Sequence, residues 1–277
     1  MPQPSIITSL KNPLVKELRK LHRARNRHQQ GLLLLEGTNL VEAALQANVV
    51  LENVCFTQEW QGRYPKLWQA ALDCAQRTEI VDQRVINAIA TTVNSDGVIA
   101  TAQRDFVCDS TTSNQTGIGL GLAIERLQDP GNLGTIIRTA TAVGVEGLWL
   151  SGNSVDWDHP KVLRASAGEW FKIPKAVSDD LVDLVTTMQS QGIQVVATLP
   201  QAELTYWDVD LTKPSLILLG NEGAGLSEDL AAVADKKVKI PVQPGVESLN
   251  VAIAAAVILY EARRQKSFSE NKQIPLA

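Results

Sequence analysis

An apolar stretch that turns sharply into an amphipathic helix constrains the fold of this chain more than any other segment. Residues 120–127 open with a continuous apolar run, which predicts a buried strand. Pro130-Gly131 forces a turn, and the apolar spacing over residues 133–143 predicts a helix. Open α/β sheets bind ligands at such strand-to-helix junctions. Asn132 and Arg138 are therefore predicted at a ligand-binding edge, with a surface arginine and a loop asparagine as the alternative.

Two later segments have the same character. Residues 216–219 are apolar and run into the glycine-dense turn 220–227. A third strand is predicted to end at residues 240–242, and the loop 247–250 then leads into a long Ala-rich helix. Each of the three strand ends delivers glycines together with one or two polar side chains.

In order and spacing, these three segments resemble the SpoU family of RNA 2'-O-ribose methyltransferases, within the SPOUT superfamily. The resemblance covers residues 120–265, and Leu-Arg-Ala-Ser-Ala-Gly at 163–168 also fits the family pattern. It implies an α/β domain with a parallel sheet and a deep trefoil knot. Periodicity alone predicts a Rossmann-like sheet, and true knots are very rare, so the knot rests on the resemblance.

The chain of 277 residues suggests two domains. Strands alternate with helices in the first part, which is similar to the ribosomal-protein-L30-like substrate-binding domain that often precedes SpoU catalytic domains. The predicted division is an RNA substrate-binding domain over 1–108, a polar linker over 109–117, the methyltransferase domain over 118–266 and a flexible tail over 267–277.

Predicted secondary structure follows the same alternation. In the first part, strands are predicted at 32–37, 49–57, 79–81 and 97–102 and helices at 38–47 (with Thr38 as N-cap), 65–77 and 84–91. In the second part, strands are predicted at 120–127, 147–151, 193–198, 215–219 and 237–242 and helices at 133–143, 181–191, 226–233 and 249–266.

The cofactor implied by the resemblance is S-adenosylmethionine. Gly220, Ile240 and Leu249 match the family's cofactor-contacting positions, and Leu199 is expected to complete the apolar wall. Core packing is the alternative for Ile240 and Leu249. Neither a dinucleotide fingerprint nor a phosphate loop is present in the sequence. A cofactor without phosphates needs neither motif, whereas a nucleotide-dependent oxidoreductase is disfavoured.

The resemblance assigns the key catalytic role to Arg138. A guanidinium is effectively always charged, so a grip on the neighbouring RNA phosphate is preferred to a role as base. Glu222 is a second candidate, either in proton removal or in holding Arg138 or Asn132 in place. Asn132 is expected to orient the ribose hydroxyl, and Ser248 and Asn250 to bond ribose or phosphate. For Ser248, N-capping of the last helix is the alternative.

The net charge is −4, yet residues 1–30 are strongly basic, with Glu17 as their only acid. A clustered basic face attracts phosphates even on an acidic protein, and a merely solvated helix face is the alternative. The RNA-binding candidates are Lys11, Arg19, Lys20, Arg23 and Arg25. An N-terminal domain of this type usually accompanies methylation of ribosomal RNA, so large-subunit ribosomal RNA is favoured over transfer RNA. The family also implies a homodimer, because its members complete the site across a two-fold interface.

Other classes of function are less well supported. No apolar run is long enough to cross a bilayer and no signal peptide is recognised, which favours a cytoplasmic protein with no membrane partner. The cysteines and histidines have no metal-ligand spacing, so no metal is expected. A non-catalytic RNA-binding protein on the same scaffold remains an alternative, but it would be expected to lose Arg138 or Asn250.

Overall fold

The computed structural model describes residues 6–104 and 118–271, with side chains as far as residue 267. The chain divides into two compact units: Met1–Val107 together with Asp156–Lys172, and Cys108–Val155 together with Ile173–Ala277. The predicted linker 109–117 lies outside the described residues. The continuous domain predicted over 118–266 differs from this division, because Asp156–Lys172 belong to the first unit.

The first unit is built on a four-stranded sheet. Its strands are β1 (Leu32–Glu36), β2 (Leu51–Phe56), β3 (Ala75–Ile80) and β4 (Val98–Gln103). Their order in the sheet is β1-β4-β2-β3, with β4 antiparallel to β1 and β2 and β3 parallel to β2. Its helices are α1 (Pro13–Lys20), α2 (Ala24–Gln30), α3 (Thr38–Gln46), α4 (Gln58–Arg63), α5 (Pro65–Cys74), α6 (Gln83–Ile89) and, in the returning segment, α8 (Pro160–Ala165).

Several predicted boundaries in this unit are wrong, and two of them have a clear physical cause. Gly37, with φ 96°, is the N-cap of α3, and Thr38 is its first helical residue. The Thr38 N–H donates to Asp96 Oδ2 at 2.8 Å, so a distant carboxylate caps the helix. Helix α5 ends at Cys74, three residues before the predicted end at 77, because β3 already pairs with β2 from Ala75 onward.

The second unit contains a seven-stranded sheet. The strands are β5 (Leu120–Ile124), β6 (Gly147–Ser151), β7 (Lys175–Ser178), β8 (Gln194–Thr198), β9 (Leu204–Thr205), β10 (Ser215–Leu219) and β11 (Lys236–Lys239). They are all parallel, in the order β7-β6-β5-β10-β8-β11-β9. Strand β10 lies between β5 and β8, with Leu219 opposite Ile124. The turns that follow β5 and β10 therefore emerge side by side.

The helices of this unit are α7 (Pro130–Val143), α9 (Leu181–Ser190), α10 (Glu228–Val233) and α11 (Val251–Asn271), and α11 packs against α7. Asp129 caps α7 by accepting the Asn132 N–H at 2.9 Å, and Pro130 occupies its first turn. Since α11 continues to Asn271, the tail predicted from residue 267 is wrong over 267–271, and 272–277 lie outside the described residues. The trefoil knot stays a prediction. Among the described residues, no helix is both long and apolar enough to cross a membrane.

Candidate active site

A cavity of about 420 Å³ opens at the carboxyl ends of β8, β10 and β11. All four positions predicted to contact the cofactor line it: Leu199, Gly220, Ile240 and Leu249. Leu199 directly follows β8, and its N–H donates to the Val238 carbonyl on β11 at 2.8 Å. The side chain of Leu249 is 37% exposed, so core packing does not account for it. The parallel sheet thus gathers residues that are far apart in sequence into one wall.

Gly220 is the point of closest backbone approach in this wall. A Cβ atom placed on it would lie 2.1 Å from the carbonyl carbon of Gly225 and 2.2 Å from the Leu226 nitrogen. Asn221 and Gly225 exchange two backbone hydrogen bonds of 3.0 Å. The Asn221 side chain also accepts the N–H groups of Gly223 and Ala224, each at 2.9 Å. We call residues 220–225 the cofactor loop; its own hydrogen bonds close it on itself.

Three predicted catalytic residues form one hydrogen-bonded chain beside the cavity. Asn250 Nδ2 donates to Asn132 Oδ1 at 3.0 Å, and Asn132 Nδ2 donates to Glu222 Oε1 at 3.2 Å. The same carboxylate oxygen accepts the Asp129 N–H at 3.4 Å. Of the roles open for Glu222 in the sequence, the geometry matches the one in which it holds Asn132. Each residue of the chain comes from a different strand end.

Arg138 lies on the exposed face of α7, between buried neighbours that pack into the core. Within residues 6–104 and 118–267, no hydrogen bond or ion pair engages its guanidinium, and Glu222 does not hold it. A free, exposed guanidinium can bind a phosphate or carboxylate through two parallel hydrogen bonds.

Ser248 lines the cavity and is exposed. It does not cap the last helix, because that position belongs to Asn250. Asn250 Oδ1 accepts the Ala252 N–H at 2.9 Å, while Nδ2 reaches Asn132. Asn250 therefore does two things at once: it begins α11 and fixes Asn132.

Asn221 and Arg126 were not singled out as site residues in the sequence. Asn221 fastens the cofactor loop, and its Nδ2 also donates to the Arg126 carbonyl at 2.7 Å. The Asn-Glu-Gly sequence could have indicated such a turn, since Asn side chains bond their own backbone two residues on. Arg126 adopts a positive φ of 53°. No sequence pattern marks an arginine for that conformation.

In the first unit, the predicted RNA-binding residues Lys11, Arg19, Lys20, Arg23 and Arg25 are all exposed on or beside α1 and α2. Lys20 pairs with Glu17 at 2.7 Å, and the other four have no ion-pair partner in the described part of the chain. Arg27 does not belong to this surface. Its side chain is buried and pairs with Asp156 at 3.2 Å and Asp158 at 3.4 Å.

His28, Asp156 and Asp158 offer ligand atoms within 4.8 Å of one another. The Arg27 guanidinium contacts both carboxylates, and Arg104 Nε donates to Asp158 at 2.7 Å. Both carboxylates are thus already paired with arginine, which opposes the binding of a cation. Burial, with Arg27 and Arg164 nearby, lowers the pKa of His159, which leaves this histidine neutral at pH 7.

Together, the parallel sheet, the cavity at its strand ends and the polar chain beside it define an α/β enzyme with a small-molecule cofactor site. Residues 119–260 match the model of the SpoU rRNA Methylase family, and residues 12–100 match the MRM3-like substrate binding domain. The chain belongs to the SpoU family of RNA 2'-O-ribose methyltransferases.

Individual relatives match along both units. An uncharacterized tRNA/rRNA methyltransferase of Synechocystis sp. is 47% identical over 260 residues, covering 94% of each chain. The 23S rRNA (guanosine(2553)-2'-O)-methyltransferase RlmP of Bacillus subtilis is 32% identical and covers 93% of this chain and 98% of its own. The crystal structure of an AdoMet-bound rRNA methyltransferase from Sinorhizobium meliloti gives a TM-score of 0.83 at 32% identity, with 94% and 97% of the two chains covered.

Proposed function

We propose that this protein transfers a methyl group from S-adenosylmethionine to a ribose 2'-hydroxyl of large-subunit ribosomal RNA in the cytoplasm. The observation that carries the proposal is the cavity lined by Leu199, Gly220, Ile240 and Leu249, with the chain Asn250–Asn132–Glu222 beside it. A site for the cofactor thus lies next to polar side chains that can orient the ribose hydroxyl.

The residues of the cavity fit this cofactor. A volume of about 420 Å³ is within the range of small-molecule sites. Backbone groups of the cofactor loop can form hydrogen bonds with the adenine ring, and an apolar surface is supplied by Leu199, Ile240 and Leu249. Glu222 and Glu247 also line the cavity, and their carboxylates suit a ligand with a sulfonium and an ammonium group. When bound, S-adenosylmethionine supplies a methyl carbon that accepts the ribose oxygen as the carbon–sulfur bond breaks.

The protein's own groups supply orientation and assist proton loss. Arg138 binds the phosphate next to the reacting ribose, which brings the hydroxyl to the site. Asn132 Nδ2 carries two hydrogens; Glu222 accepts one, and the other remains for the ribose oxygen. The hydroxyl proton leaves to the phosphate that Arg138 holds. Positioning of this kind can lower a barrier by several kcal/mol without a metal.

Ribosomal RNA is preferred to transfer RNA because the match to the 23S rRNA enzyme RlmP extends over 93% of this chain, through the first unit. That unit carries the exposed basic side chains of α1 and α2, which suit a phosphate backbone. The same unit matches a substrate binding domain, and we assign RNA capture to it.

We also propose a homodimer. Exposed apolar side chains lie on the loop that lines the cavity and on α11: Val242, Val246, Leu249, Ile253 and Tyr260. Exposed apolar side chains grouped on one loop and one helix are typical of an interface. A second copy would cover it and enclose the cavity. Light scattering at low micromolar concentration should give the mass of a dimer, and a fully active monomer would contradict it.

The proposed function is tested with purified protein, S-adenosylmethionine labelled in its methyl group, and RNA from a strain that lacks the gene. We expect label in large-subunit ribosomal RNA, recovered as a 2'-O-methylated nucleoside after digestion. Label confined to transfer RNA would overturn the choice of substrate. RNA binding without any transfer would favour the non-catalytic alternative.

A further inference from the structure

We infer that Arg126 is a positioning residue that fixes the cofactor loop against the end of β5 and thereby sets affinity for S-adenosylmethionine. The inference rests on the proposed function, since it concerns the same cavity. Arg126 does not line the cavity, and no part of the proposed chemistry uses it.

The backbone of Arg126 is held on both sides in a conformation that side chains rarely adopt. Its φ is 53°, in the left-handed region that favours glycine. Its N–H donates to Ser151 Oγ at 2.7 Å, and its carbonyl accepts Asn221 Nδ2 at 2.7 Å. Strained residues persist where the surroundings over-determine them, commonly at functional sites. Here the strained turn places the Arg126 carbonyl where it accepts a hydrogen bond from the Asn221 side chain of the cofactor loop.

The Arg126 side chain reaches the other end of the same loop. Nη2 donates to the Gly225 carbonyl at 3.4 Å and to Glu125 Oε2 at 3.3 Å. Glu125 Oε2 in turn accepts the Ser227 N–H at 2.7 Å. Arg126 therefore grips the cofactor loop at Asn221 through its backbone and at Gly225 through its guanidinium.

Both of these contacts bear on the cavity wall. Asn221 and Gly225 line the cavity, and the Gly225 backbone packs directly on Gly220. Without the guanidinium, the Gly225 carbonyl would still accept the Asn221 N–H inside the cofactor loop, but it would lose its link to Arg126. The Gly225 end of the loop could then move relative to β5, and part of the binding free energy would be spent on ordering it. Glycine would adopt this positive φ more easily, but it has no side chain to bond Gly225. The bond from the guanidinium therefore explains why an arginine occupies this strained position.

The substitution Arg126→Gly removes the guanidinium but preserves the backbone turn. Glycine adopts the positive φ freely, so the bond from Asn221 is kept and the strain is relieved. Only the bonds to Gly225 and Glu125 are lost. We expect S-adenosylmethionine to bind about tenfold more weakly in calorimetry, as for a lost hydrogen bond from a charged donor. The KM for the cofactor should rise by more than kcat falls.

Two further variants distinguish positioning from general stability. Arg126→Ala loses the same bonds but keeps the strain, so its Tm should lie below that of Arg126→Gly while its loss of affinity is similar. Arg126→Lys, whose ammonium can still reach a carbonyl, should recover part of the affinity. Gln128→Ala is the matched control: Gln128 Nε2 also donates to the Arg126 carbonyl, at 3.2 Å, but within the described part of the chain it makes no hydrogen bond to the cofactor loop. It should bind like the wild type.

Wild-type affinity in Arg126→Gly would overturn the inference. An affinity that follows Tm across the Gly, Ala and Lys variants would overturn it as well, because the role would then be only structural. A wild-type protein that does not bind S-adenosylmethionine would refute the proposed function first, and the inference with it.

Discussion

At the scale of single residues, Gly220 has the least space for a side chain among the glycines that the structure describes. A Cβ atom there would overlap the backbone of Gly225 and Leu226, and backbone cannot rotate away as a side chain can. Gly223 lies in the same loop and also lines the cavity, but a Cβ on it would meet only Asn221 Oδ1, at 3.7 Å. The two glycines differ in the space around them and not in backbone conformation, since neither has a positive φ.

We therefore expect Gly220→Ala to weaken S-adenosylmethionine binding by about fivefold or more, because relieving such an overlap costs ~1–3 kcal/mol. Gly223→Ala should bind within a few-fold of the wild type. Calorimetric titration of both variants checks the expectation, and equal affinities for the two would refute the view that close packing at Gly220 shapes the cavity.

Three of the four cofactor positions, Gly220, Ile240 and Leu249, were predicted from the resemblance to the SpoU family. Leu199 was predicted because it follows an apolar strand, where burial is visible in the pattern. Glu222 and Asn132 were also singled out, but their bond was only one of several options. Which side chains meet depends on β10 inserting between β5 and β8, and strand order is not encoded in local periodicity. Arg126 was not predicted because its conformation is imposed by Ser151 and Asn221, which lie at the ends of other strands.

At the scale of elements, the first turn of α11 contributes both to the stability of the helix and to the geometry of the active site. Asn250 caps this helix with its oxygen and holds Asn132 with its nitrogen. The long, Ala-rich helix was evident from composition, whereas its start was predicted two residues early because both Ser248 and Asn250 are good N-caps. The edge strands β7 and β9, of four and two residues, are too short to show a pattern and were not predicted.

The two tasks of Asn250 can be separated by substitution. Asn250→Ala removes the cap and should cost about 1 kcal/mol, or roughly 2–4 °C in Tm. Asn250→Asp keeps an oxygen to accept the Ala252 N–H but cannot donate to Asn132. We expect Asn250→Asp to retain Tm and to lose kcat, as measured by melting and by methyl transfer. An Asp variant with full kcat would show that Asn132 does not need this bond.

At the scale of the whole molecule, the chain passes between its two units three times, because Asp156–Lys172 return to the first. In that segment Val162, Leu163, Trp170 and Phe171 are buried, and Arg27 and Arg104 pair with Asp158. Removing residues 1–107 would expose these apolar side chains. The alternation of strands and helices predicts two α/β units, but a segment that returns to the first unit leaves no mark in a linear pattern.

RNA capture by the first unit is therefore better tested by substitution than by truncation. Replacing Arg19, Lys20, Arg23 and Arg25 with glutamine should weaken RNA binding and flatten its salt dependence. Each lost phosphate contact on a single-stranded target reduces the log–log slope by ~0.7. A control in which Arg63, Lys66, Arg77 and Arg84 are replaced removes the same charge from other exposed positions of the unit. Slopes that superimpose for the two variants would mean that α1 and α2 present only a solvated face.

The most direct measurement of the central claim follows methyl transfer and cofactor affinity together in Arg138→Ala. Arg138 is exposed and lies outside the cavity, so we expect transfer to ribosomal RNA to be lost while S-adenosylmethionine affinity stays within a few-fold of the wild type. Arg138→Lys should also transfer poorly, because a point charge does not replace the planar guanidinium fork. Turnover by Arg138→Ala at a rate near that of the wild type, on the correct RNA, would contradict the assignment of Arg138 to the reacting ribose and its phosphate.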